Sequence, residues 1–246
     1  MLYKLRLALA KTFTPSSVLR CTVCERDALK FFDFGQVNVR IEAKCPWCGS
    51  LERHRLMWET LRRRTVLGAG RGDERAPSSL DLLHIAPESF TVPLLRELVG
   101  TGYRSGDLEP GRADLVVDVT EIDSKDGSFD MIICSHVLEH VPDDAKALRE
   151  FYRVLRPGGV ALLPVPITAG TTFEDPTVTD PAEKLRLFGQ EDHVRACGPD
   201  YFDRMEAAGF EVERIVPTSL MSEADAQRCR FLEGDILPLC RKPAAG

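Results

Sequence analysis

Residues 129–159 read FDMIICSHVLEHVPDDAKALREFYRVLRPGG, and three structural signals succeed one another within them. Phe129 to Cys134 is a short apolar run suited to a strand buried on both faces. Ala145, Leu148, Phe151, Tyr152 and Leu155 recur at helical spacing. Pro157-Gly158-Gly159 stops that helix and launches Val160 to Leu163 as a second buried strand. Strand, helix and strand over so few residues form a βαβ unit with a right-handed crossover.

Outward from this unit, 246 residues suffice for one full α/β core and a small appendage. No apolar run is long enough to span a bilayer, and Lys4, Arg6 and Lys11 interrupt the first segment, so neither a membrane span nor a secretory signal is expected. The protein is therefore read as cytoplasmic. Charge is unevenly divided: residues 1–75 hold fifteen Lys/Arg against eight Asp/Glu, and residues 76–246 hold seventeen against thirty. Such a division fits either a basic module docking on an acidic domain or a basic surface that recruits an anionic substrate. Arg62-Arg63-Arg64 belongs to the same question, since three arginines at a helix C-terminus also suit the helix dipole.

Four of the eight cysteines form two CxxC knuckles, Cys21/Cys24 and Cys45/Cys48. Each knuckle offers two thiolates to one tetrahedral ion, the pattern of a structural zinc site. A module of about fifty residues has little core of its own, so the metal supplies folding free energy. Phe31 to Gly35 and Val37 to Ile41 read as strands of a zinc-ribbon-like element. Leu51 to Leu61 reads as a helix packing the ribbon against the larger domain, with His54 exposed or hydrogen-bonded rather than a fifth ligand. Gly68 to Ser79 is the linker, giving units of 1–75 and 76–246. Cys134, Cys197, Cys229 and Cys240 show no ligand spacing and read as packing residues.

Leu80 to Ile85 opens the large domain and is followed by His84-Ile85-Ala86-Pro87-Glu88. With this HIAPE loop, the CxxC pairs and a late FGQEDHVR segment (188–195), the chain from Cys21 onward resembles a bacterial branch of methyltransferase type 11 proteins. The resemblance implies a Rossmann-like seven-stranded class I sheet and S-adenosylmethionine (SAM) as cofactor. It departs from the usual pattern where HIAPE replaces a GxGxG loop whose glycines let the backbone approach the ligand. By this resemblance His84, Ala86, Pro87 and Glu88 line the cofactor. Asp107 with Leu108 takes the ribose hydroxyls, Asp118 with Val119 the adenine, and Ser135 with His136 the flank at the carboxyl edge of the sheet.

His136-Val137-Leu138-Glu139-His140 matches the HxxEH pattern of inverted zinc proteases, but it straddles a strand-to-helix turn instead of lying within a helix. Some ubiquinone-pathway O-methyltransferases are similar here, with an ExxEH turn that binds a divalent ion. Carried over, His136, Glu139 and His140 either hold a second divalent metal or form a metal-free turn. Thr168 to Pro199 (lid, 167–200) leaves the ligand edge of the sheet and reads as a substrate lid. Within it His193 is the candidate general base, with Asp192 or Glu191 orienting it and Arg195 binding a carboxylate or phosphate. Equally, the same cluster pins the lid in place. His140 is the second catalytic candidate. The expected activity is methyl transfer to a small molecule. The alternatives are a ribbon-guided RNA or protein methyltransferase and a non-catalytic binding protein.

Overall fold

The computed structural model describes residues 18–35, 39–67 and 80–244. The segment 1–17, the expected linker and domain junction at 68–79, and the start of the expected strand at Val37-Asn38 lie outside the described residues. The chain separates into two compact units. One comprises residues 18–67 with Ser89–Leu94 and Ile215–Leu237, and the other 80–88, Leu95–Arg214 and 238–244.

The first unit holds two small antiparallel hairpins, β1 (Leu19–Arg20) with β2 (Asp27–Ala28) and β3 (Phe32–Phe34) with β4 (Arg40–Lys44), followed by helix Glu52–Arg64. That helix buries Leu56, Met57, Trp58 and Leu61 and packs against helix Pro217–Leu220 of the same unit. His54 is buried, and its Nδ1 accepts the Leu51 N–H at 3.1 Å, so it caps the helix. At the other end Arg62 and Arg63 pair with Glu59, and Arg64 donates to the Ser219 carbonyl. The arginine run is thus engaged by its own helix and its neighbour. Arg55 is fully buried, donating to the carbonyls of Cys229, Ala43 and Ser50 at 2.7–3.0 Å and lying over the Phe31 ring.

The second unit is built on a seven-stranded sheet of β5 (Leu82–Ile85), β6 (Tyr103–Asp107), β7 (Leu115–Val116), β8 (Phe129–Cys134), β9 (Leu155–Leu162), β12 (Glu211–Ile215) and β13 (Leu237–Arg241). Its order is β12-β13-β9-β8-β5-β6-β7, with β13 antiparallel to β9. The strands from β7 to β9 are parallel neighbours. Every residue of β5, and Met131 to Cys134 of β8, is buried, as covered strands require. Helix Asp144–Val154 starts where the Asp143 carboxylate accepts the Lys146 N–H and buries Ala147, Leu148, Phe151 and Val154.

One expectation is corrected. The strand after this helix begins at Leu155 and does not wait for Val160. Phe129 opposes Leu155 while Met131 opposes Val160, so Arg156 to Gly159 bulge out of the ladder. A Cβ on Gly159 would lie 2.9 Å from the carbonyl oxygens of Arg156 and Asp130, which explains that glycine.

Between β9 and β12 the lid carries its own hairpin, β10 (Phe173–Glu174) against β11 (Arg195–Ala196), and helix Pro181–Phe188. No described helix is long and apolar enough to cross a membrane.

Asp114, just before β7, accepts from Ser105 of β6 and from Arg96. The Ser105 hydroxyl and the Arg96 guanidinium hold its carboxyl down at about 2. Since this lies below the unfolded value of about 3.9, the stabilisation is fully present above roughly pH 4 and is lost as pH falls toward the folded pKa. Replacing Ser105 by Ala is expected to raise the Asp114 pKa toward the ordinary range. An NMR titration that showed no change would assign the shift to Arg96 alone.

Candidate active site and metal centre

The parallel registers bring four chain turns to one edge of the sheet. Ile85 lies opposite both Gly106 and Cys134, and Asp107 opposite Val116. Ala86, Asp107, Asp118 and Ser135 therefore sit at or just past the carboxyl ends of β5, β6, β7 and β8. The chain reverses direction across the sheet between β5 and β8, the position where open α/β sheets accept ligands.

After β5 the backbone enters the left-handed region at Ala86 (φ 47°), a conformation glycine usually supplies. Its N–H donates to the Gly106 carbonyl at 2.8 Å. His84 is fully buried, with Nδ1 3.0 Å from the Tyr103 hydroxyl and Nε2 3.2 Å from Glu88 Oε2. Both its ring nitrogens are engaged, so within this site it braces the loop through Glu88, with Pro87 between them. Burial pushes the Tyr103 hydroxyl up to about 12, keeping it neutral.

Asp107 is half-buried, and one carboxylate oxygen accepts the Glu109 N–H at 2.9 Å. The other makes no hydrogen bond among the described residues and is the acceptor a ribose would need. Leu108 beside it is exposed. Asp118 Oδ1 accepts both the N–H and the hydroxyl of Thr120 at 2.8 Å, which lowers its pKa and fixes the turn ahead of buried Val119. Ser135 is buried, and His136 (φ 55°) is left-handed with its N–H on the Pro164 carbonyl. The set of carboxylates and tight turns fits a nucleoside-bearing ligand such as SAM.

Beyond Ser135 the chain makes a 3-10 turn at Leu138–His140, and the lid meets it. The Val194 N–H donates to the Glu139 carbonyl at 3.0 Å. Arg195 is 2% exposed and donates to the carbonyls of Leu138, Val141 and Pro142 at 2.6–3.0 Å and to Glu174 at 2.9 Å. Asp144 lies 3.5 Å away and also pairs with Arg204. This guanidinium is fully engaged, so the expected carboxylate- or phosphate-binding role is replaced by a structural one. His193 is buried beside it, Nδ1 3.0 Å from the Phe188 carbonyl, and burial holds its pKa below the ordinary range. Its ring meets His140 edge-on at 4.7 Å. Asp192 lies 3.3 Å from His140, not from His193. His136 Nδ1 lies 3.2 Å from Glu139 Oε1. The meeting of His140 with His193 was not readable from the sequence, which separates them by the whole helix, strand and lid.

In the first unit the sulfurs of Cys21, Cys24, Cys45 and Cys48 fall within 4.8 Å of one another. Cys21 and Cys48 are 3.6 Å apart, and Cys24 and Cys45 3.8 Å. A tetrahedral zinc with bonds of about 2.3 Å to sulfur has edges of about 3.8 Å, so the cluster fits that ion. Hydrogen bonding with the neighbouring Cys21, Cys24 and Cys45 thiols lowers the Cys48 pKa from the ordinary thiol range. With four sulfur ligands the ion would be structural, holding the two knuckles together.

Known proteins are consistent with this reading of the large unit. Residues 104–163 match a family model described as a methyltransferase domain. A probable S-adenosylmethionine-dependent methyltransferase of Mycolicibacterium smegmatis is 29% identical over 171 residues, 65% of this chain and 59% of that protein. A ubiquinone biosynthesis O-methyltransferase of Xanthomonas oryzae pv. oryzae is 35% identical over 92 residues, 36% of this chain and 34% of that protein. The chain thus spans less than two thirds of the length of either relative. A crystal structure of a putative methyltransferase from Bacillus halodurans C-125 is 18% identical, with a TM-score of 0.43 over 70% of this chain and 100% of that one. The seven-stranded unit has a Rossmann-like mixed sheet of which residues 104–163 are similar to a methyltransferase domain, and the other unit brings four cysteines together as a zinc site would need.

Two outcomes are expected here. Elemental analysis is expected to find one equivalent of zinc on the wild-type protein and none at this cluster in Cys45→Ser, which should also melt the first unit at lower temperature. Arg195→Met should destabilise the second unit by about 3–5 kcal/mol, the usual cost of breaking a buried ion pair, read from denaturant midpoints.

Proposed function

We propose that this chain is a SAM-dependent methyltransferase acting on a small molecule in the cytoplasm, with a structural zinc at Cys21, Cys24, Cys45 and Cys48. The observation that carries it is the convergence of Ala86, Asp107, Asp118 and Ser135 at one sheet edge. Bound SAM brings a methyl group that is already electrophilic at its sulfonium, so most of the protein's task is positioning.

Asp107 would hold the ribose hydroxyls through its carboxylate, and the Asp118–Val119 turn would receive the adenine. The stiff His84–Glu88 loop and the Ser135–His136 turn would enclose the methionine portion. The acceptor enters on the lid side, where half-buried His140, oriented by Asp192, is the group that removes a proton if the nucleophile carries one. His193 is more enclosed and acts on the position of that turn. The internal engagement of Arg62, Arg63 and Arg64 favours a small molecule over RNA as acceptor.

Isothermal titration with SAM and S-adenosylhomocysteine tests the reading. Binding to the wild-type protein is expected, weakened roughly 10- to 100-fold by Asp107→Ala, as the loss of charged hydrogen bonds implies. No binding by the wild type would overturn the assignment, and unchanged binding by the variant would move the ribose elsewhere.

A further inference from the structure

Besides the Tyr201 hydroxyl, two buried atoms in the second unit are left without hydrogen-bond partners among the described residues, Glu139 Oε2 and His193 Nε2. Their residues are 1% and 3% exposed, so water does not compensate them freely. One ligand atom each from Glu139, His140 and His193 lies within 4.8 Å of the other two. The remaining polar atoms are arranged as metal ligands require. His193 Nδ1 donates to the Phe188 carbonyl, which places the imidazole lone pair on Nε2. Glu139 Oε1 faces His136 Nδ1, leaving Oε2, and Asp192 orients His140. Each candidate ligand has an outer partner, as at built metal sites.

We propose that Glu139, His140 and His193 bind a divalent first-row transition ion, Zn2+ or a near neighbour, that joins the lid to the turn after β8. Two imidazoles and one carboxylate select such an ion over magnesium or calcium. The set differs from the His136, Glu139, His140 combination considered from the sequence: His136 steadies Glu139, and the lid supplies the third ligand. Bonds of about 2.0–2.2 Å would hold the ligand atoms at about 3.3–3.6 Å from one another. Three protein ligands would leave a coordination position for a water or an acceptor oxygen, and an ion-bound His140 would serve as a ligand in place of the proton-accepting role it has in the metal-free site. The metal site stands whether or not SAM binds the sheet edge.

Cobalt titration of metal-depleted full-length protein tests it. The cysteine cluster gives thiolate-to-metal charge transfer, and the proposed site adds a second equivalent with ligand-field bands but no further charge transfer. Two equivalents in the wild type and one in both Glu139→Gln and His193→Gln, with the charge transfer retained, is the expected result. A wild type that binds only the thiolate-coordinated equivalent overturns the proposal, as do variants that still bind two. Should either variant fail to fold, Asp192→Asn, at an exposed position, is expected to weaken the second equivalent about 10- to 100-fold, and no weakening would count against the site. SAM titration of the same samples separates loss of this site from failure of the methyltransferase reading.

Discussion

A guanidinium shut away from water must find its acceptors inside the protein, and Arg195 finds them in the backbone of a turn more than fifty residues earlier. Its bonds to the carbonyls of Leu138, Val141 and Pro142 make the lid and the turn after β8 one body. Removing a charge from water costs several kcal/mol unless it is fully paired, so the lid has one low-energy placement. The juxtaposition of Glu139, His140 and His193 results from that placement. Glu174 and Asp144 complete the charge balance, with Arg204 shared between them.

The sequence made plain whatever depends on local pattern. Phe129–Cys134 is a strand with the bounds its apolar run suggests, and the helix after it starts at Asp144, one residue before the first periodic apolar position. The seven-stranded sheet was expected from the resemblance; apolar pattern by itself marks strands such as β5 and β8 but not β6 (YRSGD) or β12 (EVERI). The illegible part depends on long-range packing. Proline and glycines after Val154 looked like a helix stop, and only the pairing of Phe129 with Leu155 shows a bulge inside a strand. His84 looked like a cofactor residue because the HIAPE loop resembles one in known proteins. Its burial between Tyr103 and Glu88 was invisible without the neighbouring strand. For Arg195 the sequence left anion binding and pinning of the lid equally open, because nothing in FGQEDHVR announces that three carbonyls await it.

In the first unit a charge argument links two features that the sequence separates. Four thiolates around one zinc dication leave a net charge of about −2, and a small module has little polar surface inside to offset it. Arg55 does so, fully buried and donating to the Ser50 carbonyl just beyond the second knuckle. Burial lowers its pKa while Cys21, Glu52 and Cys45 act against that loss. The same side chain reaches the Cys229 carbonyl, so the cysteine cluster's surroundings and the late segment around helix Glu223–Arg228 share one buried charge.

The loop after β5 makes a left-handed turn without the glycine that usually permits one. Ala86 in that region costs about 1–2 kcal/mol of backbone strain relative to a relaxed residue. Pro87 fixes the next torsion, and the His84–Glu88 contact closes the segment from both ends. A glycine-rich loop would be supple before its ligand arrives and would lose that freedom on binding. This loop has little freedom left to lose, so its affinity would depend on shape already present in the empty protein, and a ligand that does not match that shape would find no slack to accommodate it.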